Sequence, residues 1–347
     1  MNNIKSKQLF SILISVRMFS IICSADPSDA QQMAGAALSI LFQFLATVPM
    51  LLLYKDNTFS LKKEMLLGKF GKFLYIIFFV IWGAVSFSNL WEVTKSVYFP
   101  IDSSFIGALI LAAVCVYTAS LGIRAVSRVS GFMLGLIAFA LFIMILGAYP
   151  KADLANFAPN AQFSGIIKSA VRDFCRSGEL VMMFILLEFV PEGKQKAVKS
   201  FFTGKFILTE AVAVIEITVL GKIMKISDFP FFSAGAFSQP MSIQRADSLY
   251  MILFTMLCVM TVTIQIVLST IIIQEILPNL KYKSLISAVL MLTVSSIVNF
   301  TGIDLTAVTG CLILILAVII PVIMYIRRRN TNENKKTDLH SPLSADT

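Results

Sequence analysis

VRDFCRSGELVMMFILLEFVP, residues 171–191, is the stretch on which the fold turns. Leu180–Leu187 is an unbroken apolar run. Just before it, Arg172, Asp173, Arg176 and Glu179 crowd around the pair Ser177-Gly178. With the residues that precede it the segment is long enough to cross a bilayer, which takes about 20 residues. A charged side chain at the bilayer centre costs at least ~2.5–3.5 kcal/mol on insertion scales, so each charge here needs a partner, a watery cavity or a route to the interface. Glycine weakens a helix by about 1 kcal/mol against alanine. Charges beside a Ser-Gly pair at mid-membrane therefore predict a span that breaks there and turns its freed backbone groups toward a polar cavity.

The rest of the chain supplies the membrane protein that such a span requires. Of 347 residues, 57% are apolar and 14% charged, and mean hydropathy is +0.83. A soluble domain averages about 25% charge. The apolar runs predict an all-α, polytopic membrane protein of about ten spans. They fall near 8–25, 33–54, 73–99, 104–121, 126–149, 164–190, 201–224, 247–273, 284–301 and 304–326. Pro100, Pro150, Pro191 and Pro278 mark span ends, where proline stops a helix. The first run closes without a small-x-small cleavage site, so it reads as a span and not as a signal peptide. Residues 1–329 form one transmembrane domain on this reading, and the polar segment 330–347 is expected to be a disordered cytoplasmic tail.

The net charge of +9 records orientation. Twenty of the 29 Lys and Arg residues, Lys205 among them, fall in alternate connections and the two tails. The intervening connections carry Asp26, Asp29, Asp102, Asp153, Asp228 and Asp304. The positive-inside rule then puts both termini in the cytoplasm. A nucleic-acid role would need a basic patch on a folded extramembrane domain, and no connection is long enough to hold one.

The informative charges are those left inside apolar runs. The basic ones are Arg17, Lys95, Lys168, Arg172 and Arg176; the acidic ones are Glu92, Asp173, Glu179, Glu188, Glu210 and Glu216. Arg17, Glu179 and Glu210 lie deepest. Glu92 with Lys95, Asp173 with Arg176, and Arg176 with Glu179 are spaced i,i+3 and share helix faces. One reading is an internal ion-pair network that holds the bundle. The other is a cavity where a small charged ligand meets Arg17, Arg176 and Glu179; spacing leaves both open. Ser15, Arg17 and Ser20 interrupt the first span at the depth where 176–179 interrupt the sixth. Two interrupted spans, five apart, predict a five-plus-five inverted repeat with broken helices 1 and 6. Thr261, Gln265 and Ser269 form a polar stripe in span 8, read as glue between helices or a cavity wall. Gly131 and Gly135 form a GxxxG, read as close helix packing. The aromatic segment 225–246 is expected to pack at the membrane interface, the alternative being a cap over an external vestibule.

Other chemistry is excluded by what is missing. The five cysteines form no CxxC pair, and the one histidine, His340, sits in the tail. No HExxH, GxSxG or P-loop pattern occurs. No catalytic residue, metal site or cofactor is expected, and the chain is not expected to be an enzyme.

Four motifs make the chain resemble the spore-germination permease family, the B-type subunits of endospore germinant receptors within the amino acid–polyamine–organocation permease superfamily. They are the turn Asp29-Ala30-Gln31-Gln32 after the first span; Glu92 through Lys95 to Pro100; Gly122-Ile123-Arg124-Ala125-Val126-Ser127-Arg128-Val129; and Gly178-Glu179 in span 6. The resemblance covers nearly the whole chain. It departs from the pattern in the first span, which lacks glycines at its break, at Gly131, and at Arg172 and Arg176. The resemblance implies a ligand pocket at the breaks of spans 1 and 6, formed by Ser15, Arg17, Ser20, Arg176, Ser177, Gly178 and Glu179. Glu92, Lys95, Asp173, Glu210 and Gln265 would form a coupling or polar network. It also implies residence in the spore inner membrane or cell membrane, A-type and C-type partner subunits, membrane lipid contacts, and an amino-acid-like germinant. The alternative is an ion-coupled amino-acid transporter.

Overall fold

The computed structural model describes residues 3–26, 28–55, 69–98, 104–157, 162–238 and 247–340, and among them every regular element is helical. The first half holds α1 (Ser6–Ile22), α2 (Ala30–Ala46), α3 (Val48–Lys55), α4 (Lys69–Val93), α5 (Ser104–Ser120) and α6 (Ile123–Ala148). The second half holds α7 (Phe163–Cys175), α8 (Glu179–Leu186), α9 (Lys194–Leu220), α10 (Pro230–Phe237), α11 (Asp247–Ile276), α12 (Lys283–Thr301), α13 (Thr306–Ile313) and α14 (Ile320–His340). Six continuous helical stretches are long and apolar enough to cross a membrane, with α5 a shorter apolar helix beside them. The expected count of ten goes beyond what length and hydropathy show. The segments that fall short are α1, interrupted α7–α8, and α9 with its six Lys and Glu residues. These are the segments that carry the internal charges.

Large apolar side chains stand outward along the bundle: Leu41, Phe42 and Leu45 on α2, and Phe132, Phe139 and Phe142 on α6. A soluble surface would not carry such faces, but lipid covers them without penalty. This is an integral membrane protein. Inside, Phe78, Phe79, Phe87, Phe184, Phe201 and Phe254 are fully buried.

Packing partners are exchanged between the halves. Helix α1 packs on α9 while α7 packs on α2; α4 packs on α12 while α11 packs on α5. An inverted five-plus-five repeat produces this exchange. Close approach at α2–α7 rests on Gly35, where a Cβ would come within 2.6 Å of Ser169 Cβ and 2.8 Å of the Ile166 carbonyl.

Span 6 breaks at Arg176-Ser177-Gly178, between α7 and α8, as the charges beside Ser-Gly predict. Span 1 does not break where expected: α1 runs continuously through Ser15, Arg17 and Ser20. The Ser15 hydroxyl donates to the Ser11 carbonyl at 2.9 Å, which keeps it within the helix instead of competing with it. The helix stops at Cys23, and the chain reaches α2 through a short non-helical link.

Other expectations also shift. Glu92 and Lys95 are exposed, and no ion pair joins them among the described residues. A π-helical turn at Thr94–Tyr98 offsets the i,i+3 register on which that pairing rested. A Cβ at Gly131 or Gly135 would meet nothing within 4 Å, so this GxxxG packs on no helix among the described residues. In α10, Phe231 and Phe232 are buried edge-on against Tyr250 and Phe254 rather than spread at an interface. Residues 239–246 lie outside the described residues. Helix α14 continues to His340, into the segment expected to be unstructured; 341–347 lie outside the described residues.

Candidate functional site

Four segments meet at the span 6 break: α1, α2, α7–α8 and α9. Gly178 is placed there by contact rather than by φ, since a Cβ on it would run into the Trp82 ring. Beside it, Arg17 and Lys205 face Asp173 and Glu179. Arg17 Nη2 donates to Asp173 Oδ1, and Arg17 Nη1 lies 3.9 Å from Glu179 Oε1. Lys205 Nζ donates to Glu179 Oε1 at 2.7 Å, Gln43 Oε1 at 2.5 Å and Ser177 Oγ at 2.9 Å. An ammonium has three donors, and all three are used.

The polar groups of the break are absorbed into the same cluster. Ser177 Oγ donates to the Asp173 carbonyl at 2.7 Å, one of the groups freed where α7 ends. It accepts from Lys205 and from Gln43 Nε2 at 3.0 Å, which fills the capacity of a hydroxyl. Gln43 Nε2 also reaches Asp173 Oδ2 at 3.1 Å and Ser39 Oγ at 2.8 Å. Two cations and two anions balance, and the side chains of Lys205 and Glu179 are 0% exposed. Such a cluster holds only while complete. Removing one partner from a buried pair typically costs about 3–5 kcal/mol, because the other charge is left in low dielectric.

Of the residues expected to touch ligand, the structure gathers Arg17, Ser177, Gly178 and Glu179 into or beside this network, together with Asp173. The carboxylate partner of Arg17 is Asp173, and the ammonium partner of Glu179 is Lys205, so two of the three expected ligand contacts are filled from within. Ser15 is buried in α1, bonded to its own helix. Arg176 stands apart, with Nη1 2.6 Å from Asp26 Oδ2 and 3.0 Å from Ser24 Oγ; Arg172 shares the same carboxylate at 2.7 Å.

A cavity of about 200 Å³ opens between these arginines and α9. Arg17 and Asp173 form part of its lining, with Ser20, Asp26, Glu210 and Glu216. A second space of about 110 Å³ reaches Trp82 and Thr261, and Ser20 and Arg176 line both. Glu92 and Lys95 lie away from the network. Gln265 is remote from it too, donating to Ser86 at 3.1 Å. No group of three or more His, Cys, Asp or Glu side chains suited to a metal occurs among the described residues.

The polar stripe on α11 therefore splits by role. Ser269 bonds Ser287 on α12, and Gln265 bonds Ser86 on α4, while Gln265 Oε1 is buried without a partner. Helix-to-helix bonds in membranes average about 0.6 kcal/mol. Gln265→Met removes one such bond and one unsatisfied acceptor together. Its thermal midpoint in detergent is expected to stay within the shift that about 1 kcal/mol produces. A loss several times larger would show that Gln265 does more than join helices.

Lys205 was missed by grouping it with the basic residues of its connection. The signal was present in the spacing: Lys205, Thr209, Val212 and Glu216 recur at i, i+4, i+7 and i+11, one face of a helix. Gln43 carries no such signal, being a lone amide in an apolar span.

The comparisons agree with this architecture. No curated protein matches the chain. Among solved structures, it is similar to Mhp1, a nucleobase-cation-symport-1 family transporter in a closed conformation with bromovinylhydantoin bound. That match has a TM-score of 0.55 and 15% identity, over 94% of this chain and 79% of that one, and shows a shared fold. The family model described as spore germination protein matches residues 3–305. A helical membrane bundle of transporter fold, broken at Arg176-Ser177-Gly178 and matched over most of its length by that model, belongs to the spore germination permease family.

Proposed function

We propose that the chain is the membrane-embedded sensing subunit of a spore germinant receptor, which takes a small nutrient such as an amino acid into the cavity beside the span 6 break. The observation that carries this reading is the cavity itself, about 200 Å³ and lined by ion pairs that tie α7 to the α1–α2 link and to α1. A ligand that competes for the arginines gains contacts in one arrangement of α7 that it lacks in the other, which is what shifting a two-state equilibrium requires. On this reading the protein sits in the spore inner membrane with both tails in the cytoplasm and acts with A-type and C-type partner subunits. No catalytic step is assigned to it.

The transporter fold and the buried, unpartnered Glu210 Oε1 favour a second reading, an ion-coupled secondary amino-acid transporter. Vesicles containing the purified protein alone discriminate the two. The sensor reading expects no concentrative uptake of labelled amino acid and full germination only alongside the partner subunits. Uptake by the protein alone, driven by an ion gradient, would replace it with the transporter.

A further inference from the structure

The charges around the cavity do not cancel. On one wall, Arg172 and Arg176 both pair with the carboxylate of Asp26, and Asp304 is a further carboxylate in electrostatic reach of the two arginines. On the other wall, α9 presents Glu210 and Glu216. Neither has a cationic partner among the described residues. Glu210 Oε1 is buried with no hydrogen-bond partner, and Glu216, itself 6% exposed, is held through Oε2 by the Ser28 hydroxyl at 2.5 Å. The remaining charged lining residues have duties elsewhere: Arg17 and Asp173 neutralise each other, and Asp29 caps α2 by accepting from the Gln32 amide at 2.7 Å.

We propose that this cavity takes a small molecule of net positive charge, a dibasic amino acid such as lysine or ornithine, with its carboxylate at Arg172 and Arg176 and an ammonium at Glu210 and Glu216. The proposal rests on the sensing reading above and narrows it. Among the described residues, Arg172 and Arg176 are held only through Nη1, so their remaining guanidinium donors are open to a ligand carboxylate. Two glutamates facing one cavity offer two carboxyl groups, neither with a cation of its own, to ligand ammonium groups. A neutral zwitterion answers the first wall and only half of the second. A charge held out of bulk solvent is costly unless it is paired, so the uncompensated carboxylates favour the ligand that brings the second ammonium. The pairing at Arg172 and Arg176 is an exchange, because a ligand carboxylate replaces or joins Asp26 on the same guanidinium groups.

The test is the thermal midpoint of the purified full-length protein titrated with lysine, ornithine, alanine and leucine. Lysine and ornithine are expected to raise the midpoint at concentrations at least about tenfold below those alanine needs. In Glu210→Gln and Glu216→Gln, each checked for folding by its unliganded midpoint, that preference is expected to shrink to about threefold or less, with alanine's own effect retained. Equal or better stabilisation by alanine in the natural sequence overturns the charge selectivity and leaves the sensing reading standing. A lysine preference that survives unchanged in both variants overturns the role of the glutamates. Failure of every amino acid to shift the midpoint overturns this proposal together with the sensing reading.

Discussion

Lys205→Met is expected to remove most of the folded protein from the membrane. The substitution keeps the length of the side chain and deletes its charge, so Gln43 Oε1 and Glu179 Oε1 lose their donor at once and Ser177 Oγ keeps only Gln43 Nε2. Glu179 is then a fully buried carboxylate whose nearest cation, Arg17, is 3.9 Å away and already engaged by Asp173. The expected loss is the about 3–5 kcal/mol of a broken buried pair, a large share of the 5–15 kcal/mol that holds a typical domain. The second change tells the charge from the shape. Lys205→Met with Glu179→Gln removes the orphaned anion, and its midpoint is expected to recover most of the loss. Abundance in membranes and the detergent thermal midpoint check both variants. A Lys205→Met protein as abundant and stable as the natural one would mean that the cluster does not hold the four segments together.

Gly178→Val is the second large effect. The glycine is not required by its dihedrals, since φ is −60°. It is required because the Trp82 ring lies where a Cβ would be. Two further methyl groups enlarge that clash in a site where the surrounding helices are already in contact. Overpacking of a core typically costs about 1–3 kcal/mol, and here it acts on the link between α7 and α8. Germination driven by nutrient is expected to fail at a protein level only modestly reduced. Trp82→Ala in the same chain makes room and is expected to restore part of the response. If Gly178→Val responds normally, the close approach of Trp82 to the break has no functional weight.

Much of the architecture could be read from the residues because it follows from one-dimensional signals. Apolar runs bounded by Pro100, Pro150, Pro191 and Pro278 mark spans, and charge beside Ser177-Gly178 marks the break. The break is legible because helix propensity and burial cost point the same way within four residues. The expected break in span 1 rested on a weaker sign. Ser15 and Ser20 are polar, but a serine that bonds back to its own helix does not interrupt it, and only the three-dimensional partners of Arg17 show how that charge is satisfied. The pairing of Glu92 with Lys95 assumed a 3.6-residue turn, and a π-turn cannot be foreseen from the spacing it alters. Gly131 and Gly135 have the composition of a packing motif, yet which face of α6 meets another helix depends on the whole bundle.

The site was legible in its anions and half of its cations. Arg17, Asp173 and Glu179 stood out as charges deep in apolar runs. Lys205 did not, because it lies about three turns inside α9, after three lysines whose positions fit a cytoplasmic end. Orientation statistics and a buried ammonium use the same residue type, and only helical phase separates them. The cavity itself has no sequence signature: its walls come from residues as distant as Asp26 and Glu216, brought together by the exchange of helix partners between the halves.

The central claim is that a nutrient occupies the space between α7 and α9. Ala213 lines that space and is largely buried, and it makes none of the described ion pairs. The decisive measurement is the nutrient dose–response of spores carrying Ala213→Phe at a matched protein level, with the partner subunits present. A phenyl ring in a cavity of about 200 Å³ is predicted to raise the half-maximal nutrient concentration by about tenfold or more, or to abolish the response, leaving nutrient-independent germination intact. A dose–response superimposable on that of the natural protein would contradict the account and place nutrient binding elsewhere.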